Sequence, residues 1–198
     1  QVIDDWTSVL TDESRLIATL AESAPDAFGA DELKRAIDWN RREQDRVTAY
    51  LDGDRSAEAE LDHEDDALLL RAWQLRVGPL PARNGPLLRY RHVAVDEVQD
   101  FSPLEIQVLI GCLDQRQSIT LAGDTQQHLL EHTGFTSWAT FFSQLGLRGA
   151  EVNTLEVSYR CSRQVATFAA GVLGPLREDD TPLRTVREGP SVELFRFA

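Results

Sequence analysis

Apolar residues recur at helical spacing through the first third of the chain. In IDDWTSVL and RLIATLAE they fall at Trp6, Val9 and Leu10, then at Leu16, Ile17 and Leu20, the rhythm of one helix face. Thr11 or Asp12 is placed to cap the second of these helices, with Glu13 in its first turn. After the break SAPDAFG, Asp31 is the expected cap of a third helix through ELKRAIDWNRREQDRVTAYL. That helix repeats Leu33, Ile37, Val47 and Leu51 among many charges, which predicts a half-exposed element. DGDRSAEAEL is polar and turn-rich and reads as a loop. Helical spacing returns in HEDDALLLRAWQLRVG, with acids near its start and arginines later, the order the helix macrodipole favours. PLPARNGPLLRY, with three prolines and Asn84–Gly85, is a connector.

From Arg91 onward the pattern changes. HVAVD predicts a strand, and SPLEIQVLIGCL a helix with Ser102 as N-cap and Pro103 at its first position. SITLAGD is a second strand, FTSWATFFSQLG a helix capped by Thr136 and closed by Gly146, and NTLEVSYR a third strand. SRQVATFAAGVLG is a further helix and PSVELFRF a final strand. Strand–helix alternation predicts a parallel sheet. The expected fold class is therefore α/β, preceded by a helical segment.

Composition changes the picture in three places. The 198 residues suffice for one or two domains with a real core. No apolar run approaches a membrane span and no signal-peptide pattern opens the chain, so a cytoplasmic protein without membrane contact is expected. Cys112 and Cys161 lie far apart and form no metal-binding cluster, which fits a reducing compartment. The first residue is Gln1 and the chain has no Met, so a piece of a longer protein is the expectation. The net charge of −13 is uneven: residues 1–66 hold 19 acids and 7 bases, residues 67–198 hold 14 and 13. That argues against a broad phosphate-binding surface. An acidic segment is ordinarily only a solvated surface; the sharper option is docking onto a basic protein.

The chemistry gathers at strand ends. VAVDEVQD, Val93 to Asp100, runs an apolar strand into Asp96–Glu97, followed by Gln99. In open α/β sheets ligands bind at that edge. A nucleoside-triphosphate site needs one carboxylate for Mg²⁺ and a second to orient or deprotonate water, and successive side chains of a strand point different ways. LAGDTQQ supplies Gly123, Asp124 and, three residues on, Gln127, an uncharged group suited to both a γ-phosphate oxygen and the attacking water. Tyr159–Arg160 sets a flat aromatic beside a cation, suited to stacking on a base and neutralising a transferring phosphoryl group. Each has a plain reading: an acidic turn, a loop amide, a core tyrosine, a surface ion pair. Three in order at successive strand ends outweigh those.

VDEVQD, LAGDTQQ and LEVSYRCSRQV resemble motifs II, III and IV of superfamily 1 helicases of the UvrD/Rep type, over roughly Tyr90 to Ala198. The phrases VLTDESRL and LDHEDDALLLRAWQLRVGPL look closer to the HelD-like branch (helicase IV-like), which associates with bacterial RNA polymerase. The resemblance implies a partial RecA-like P-loop NTPase core. Residues 1–88 would be the end of an insertion in the first RecA-like domain with its connector, 89–157 the C-terminal part of that domain, and 158–198 the start of the second, with the hinge between Glu156 and Ser162. It assigns Asp96 to Mg²⁺ in the Walker B strand and Glu97 to activation of water. It makes Gln127 the γ-phosphate sensor, Arg160 the arginine finger and Tyr159 the aromatic near adenine. Gln99 and Asp124 would couple the nucleotide site to the nucleic-acid track. ATP and Mg²⁺ are the implied cofactors, and DNA, as a single strand, the implied partner.

The departures carry weight too. Where the family carries an aromatic pair and an arginine after motif III, the aligned positions in HLLEHTGF are Leu130, His132 and Thr133. Ring stacking is a main source of single-strand affinity, and His132 or Phe135 would have to substitute. Cys161 stands where the family has Ser and reads as a tolerated small residue. The phosphate-loop pattern GxxxxGK[ST] is nowhere in the chain, and the sole lysine, Lys34, lies in a helical context without glycines. Motifs V and VI are missing as well. This chain alone is therefore expected not to hydrolyse ATP. Two functions compete: an ATP-dependent DNA helicase or translocase, and a HelD-type polymerase-binding factor that uses the ATP cycle as a switch without unwinding. A catalytically dead scaffold is the third option, and it leaves the acid–Gln–Arg set unexplained.

Overall fold

The computed structural model describes residues 2–23, 28–57, 63–124, 137–174 and 184–195. The chain divides into two compact units, one of residues 1–96 and 101–122, the other of residues 97–100 and 123–198.

The first unit opens with α1 (Val2–Thr11), α2 (Glu13–Ser23) and α3 (Ala30–Leu51). Asp12 caps α2, its Oδ1 accepting from the Arg15 N–H at 3.0 Å. The cap of α3 corrects the expectation of Asp31. The helix already begins at Ala30, so Asp31 sits within the first turn, and Glu32 Oε2 reaches back to the Gly29 N–H at 2.9 Å. A helix leaves its last carbonyls without intrahelical donors. Those of α1 are met by α3: Asn40 Nδ2 donates to the Leu10 carbonyl at 3.2 Å and Arg41 Nη2 to that of Thr11 at 3.3 Å. One turn further along, Gln44 is buried because Thr7 Oγ1 donates to its Oε1 at 2.6 Å. Trp6 of α1 and Ile37 and Val47 of α3 are the buried apolar residues of these helices.

The following helix, α4 (His63–Arg76), packs on α1 and carries Arg76 in its last turn. Its Nε stands 2.9 Å from Asp5 Oδ2 in the first turn of α1. Each charge faces the helix end that favours it, but both side chains are substantially exposed, so the pair contributes at most about 1 kcal/mol. The proline-rich connector doubles back at Asn84, which adopts φ 57. There Pro81 bridges Leu87, and the Leu88 N–H reaches the Leu80 carbonyl at 2.8 Å.

β1 (Tyr90–Val95) pairs in parallel with β2 (Leu113–Leu121), and α5 (Pro103–Ile110) lies between them in sequence. Parallel neighbours require such a crossover. Ser102 starts α5 as expected: its Oγ accepts from the Glu105 N–H at 3.3 Å while Glu105 Oε2 accepts from the Ser102 N–H at 2.7 Å, a reciprocal capping box. β2 begins earlier than SITLAGD suggests, but regular pairing starts at Ser118, opposite His92. Before it, Asp114 to Gln117 bulge out opposite Arg91, with Gln117 at φ 47. Leu80, Val108 and Cys112 form a buried apolar cluster with Leu88 packed against it. Gln74 of α4 donates to the Val108 carbonyl at 2.9 Å.

The second unit contains a 3₁₀ turn at Val98–Asp100, α6 (Trp138–Leu145), β3 (Val157–Ser162), α7 (Arg163–Leu173) and β4 (Arg184–Arg187). Ser137 caps α6, its Oγ accepting from the Thr140 N–H at 3.2 Å, and Gly146 closes it at φ 71. Thr136, the expected cap, lies outside the described residues. Phe141 of α6 is fully buried and meets Trp138 edge to face, ring centroids 6.4 Å apart. β3 and β4 are parallel, with α7 packed on both.

The expected final strand does not form over residues 190–195; the strand is Arg184–Arg187 instead. Glu188 and Gly189 end it by turning onto the start of α7. The Arg163 Nε sits 2.9 Å from Glu188 Oε1, and the Gly189 N–H donates to Gln164 Oε1 at 2.9 Å. Pro190 follows, with no N–H to offer a sheet. The architecture is thus mixed helix and strand with two small parallel sheets among the described residues, compatible with the α/β class. No helix among the described residues is long and apolar enough to cross a membrane.

Candidate functional site

β1 delivers the acid pair as its alternation implies. Val95 is buried and accepts from the Ala122 N–H at 2.8 Å, and Asp96, the next residue, is exposed just past the strand end. β2 ends in the same register, Leu121 opposite Val95. In a parallel pair both C-terminal ends share one edge, so the segments after Val95 and Leu121 start side by side. An exposed carboxylate at such an edge suits Mg²⁺, which is held by one or two carboxylates with phosphate oxygens and water. Among the described residues no group of three His, Cys, Asp or Glu side chains forms a metal cage.

Glu97 is exposed and adopts φ 52. A non-glycine residue in the left-handed region costs of order 1–2 kcal/mol, and such strain concentrates at functional sites. The backbone turns there into the 3₁₀ segment, the Asp100 N–H donating to the Glu97 carbonyl at 2.9 Å. Nothing in VDEVQD announces this turn, since neither Gly nor Asn stands at the position.

Gln99 is the organising side chain. It is 2% exposed; its Nε2 donates to Glu97 Oε2 at 2.8 Å and its Oε1 accepts from the Asp124 N–H at 3.0 Å. A buried amide left unsatisfied costs about 1–3 kcal/mol, so both bonds hold its position. Gly123 permits the approach. A Cβ there would stand 2.5 Å from Gln99 Oε1 and 2.9 Å from Val98 Cγ1. This close packing on Gln99 is a physical reason for glycine at position 123.

Tyr159 and Arg160 lie within β3 and not at its end as expected, because the strand starts only at Val157 and runs on to Ser162; both are exposed, Tyr159 by 69%. The register of β3 with β4 is regular at Ser158 opposite Thr185 and resumes at Ser162 opposite Arg187. Three residues, Tyr159 to Cys161, therefore oppose the single Val186. Irregularities of this kind re-aim side chains and recur beside active sites. The bonds that gather Glu97, Gln99 and Asp124 do not include Tyr159 or Arg160. Gln127, with Leu130, His132, Thr133 and Phe135, lies outside the described residues.

Lys34, the chain's sole lysine, lies in α3 of the first unit. A cavity of about 460 Å³ in that unit is lined mainly by apolar residues such as Trp6, Val9, Leu68 and Leu104 and includes none of the expected site residues.

No protein-family model matches the chain. Over 89 residues it is 35% identical to the ATP-dependent DNA helicase UvrD2 of Mycobacterium tuberculosis, and equally to that of Mycobacterium bovis. The matched stretch is 45% of this chain and 13% of the helicase, so the chain spans only a small part of these curated relatives. This partial likeness supports a UvrD-like superfamily 1 helicase segment.

Proposed function

We propose that this chain carries part of the nucleotide site of an ATP-driven, UvrD-like motor acting on DNA. The observation that carries the reading is the hydrogen-bonded group Glu97–Gln99–Asp124 directly after the ends of two parallel strands. Its residue types fit the chemistry, and the partial likeness to an ATP-dependent DNA helicase points the same way. Asp96 would hold Mg²⁺ with the ATP phosphates, Glu97 would orient or deprotonate water, and Gln127 would sense the γ-phosphate. Arg160 would neutralise charge on the transferring phosphoryl group, and Tyr159 would stack near adenine. Residues 89–157 would belong to one RecA-like domain, 158–198 to a second, and 1–88 to an inserted helical segment.

The sequence holds no phosphate loop, so hydrolysis requires one elsewhere in the complete protein. The test is steady-state ATP turnover by the complete protein, wild type against Glu97→Gln. A loss of about 10²–10⁴-fold is expected, the usual worth of a general base. Unchanged turnover in the variant would remove Glu97 from the chemistry.

A second reading is favoured by the acidity of residues 1–66, which hold 19 acids and 7 bases. Here the ATP cycle would switch a HelD-type factor bound to RNA polymerase, without unwinding. Turnover of the complete protein stimulated by RNA polymerase and unaffected by single-stranded DNA would select this reading; the reverse response would select the helicase.

A further inference from the structure

Two buried donors in the first unit meet no acceptor among the described residues: the indole Nε1–H of Trp6 in α1 and the Nε–H of Arg71 in α4. Trp6 is 2% exposed, and a buried donor without an acceptor is costly. Both side chains line the cavity of about 460 Å³, a size usual for small-molecule sites. Neither group can accept a hydrogen bond, so only an acceptor completes them.

The surrounding charge narrows the kind of acceptor. Arg76 lines the same cavity but is paired with Asp5 at 2.9 Å. Among the described residues no ion pair holds Arg71; its Nη1 donates to the neutral Gln74 Oε1 at 3.1 Å. A guanidinium offers a carboxylate two parallel bonds, and Val9, Leu68, Leu75 and Leu104 on the walls suit an apolar body. A phosphate dianion would bring a second negative charge to those walls and to Asp5, with no second unpaired cation among the lining residues to meet it.

We propose that this cavity binds a small apolar molecule bearing one carboxylate, which Arg71 and the Trp6 indole N–H receive. Seating it requires side-chain shifts at the wall, a common adjustment on binding. The site shares no residue with the proposed nucleotide site, so the two readings stand or fall separately.

The experiment titrates phenylbutyrate into the whole isotope-labelled chain and follows its four tryptophan indole N–H signals by NMR. The Trp6 signal is the one lost in Trp6→Phe, and the other three, where unmoved, show that a variant folds. Saturable movement of the Trp6 signal to lower field is expected, with a Kd of roughly 1 mM or tighter for a ligand this small. The neutral phenylbutanamide, and phenylbutyrate on Arg71→Met, should each bind at least about 10-fold more weakly, the low end for a hydrogen bond to a charged group. Absence of a saturable shift overturns the proposal, as does equal affinity for the amide or for folded Arg71→Met. If Arg71→Met does not fold, the amide comparison on the wild type decides. A Trp6 signal that moves with protein concentration and ignores the ligand would mean that a second copy covers the cavity, which overturns the proposal too.

Discussion

Gly111 and Gln74 are packed so closely that a Cβ on Gly111 would overlap the Gln74 side-chain amide. That amide ties α4 to the end of α5 through the Val108 carbonyl. Gly111 has φ −64, a conformation open to any residue. By helix propensity alone, alanine would stabilise the position by up to about 1 kcal/mol. The clash should decide the sign: Gly111→Ala is expected to destabilise by about 1–3 kcal/mol in urea unfolding. A neutral or stabilised variant would mean that Gln74 yields without loss.

Glu188 offers a pH-dependent contact. Its hydrogen bonds from Arg163, then Gln164, hold its carboxyl below the usual value. A lowered folded pKa means the contact is intact above the ordinary carboxylate range and is lost as pH falls through the lowered value. Carbon-detected NMR titration of Glu188 should show the depressed midpoint, returning toward normal in Arg163→Ala. A normal midpoint in the wild type would deny the contact in solution.

The two cysteines should part company toward thiol reagents. Burial pushes the Cys112 thiol up, against smaller opposing effects of Arg89 and Gln74. Reaction runs through the thiolate, so Cys161, only half buried, should be modified first by an aromatic disulfide at neutral pH. Because the folded pKa of Cys112 is raised, its contribution to stability is complete below the ordinary thiol pKa and fades as pH rises past it. Mass mapping that found Cys112 labelled first in the native chain would contradict this.

Arg160 tests the nucleotide reading from the other sheet. In the complete protein Arg160→Ala should lower kcat by about 10³-fold, the low end for an arginine finger, and Arg160→Lys should rescue little, since a point charge lacks the guanidinium fork. A full rate in Arg160→Ala would return it to the status of a surface cation.

Local chemistry was the most legible level of this sequence. Ser102, Pro103 and Glu105 announce the start of α5, and the apolar alternation ending at Val95 announces β1, because each signal is complete within a few residues. Partners chosen across the chain were not legible. Glu32 displaced Asp31 from the cap because helix start, and not residue type, fixed which carboxylate could reach back. Over residues 190–195 of PSVELFRF no strand forms, where Glu188 and Gly189 instead turn onto the start of α7, 24 or 25 residues away in sequence. At the candidate site the residue types could be read, but the double bonding of Gln99 and the left-handed backbone of Glu97 could not. Neither leaves a local mark.

That backbone sets two kinds of selection against each other. In a position-97 library sorted only for resistance to heat or protease, Gly and Asn should be enriched, because they accept φ 52 with less strain. Sorted for ATP-dependent work, the same library should keep Glu. Residue 97 would then be a place where evolution of a more durable protein leads away from a working one.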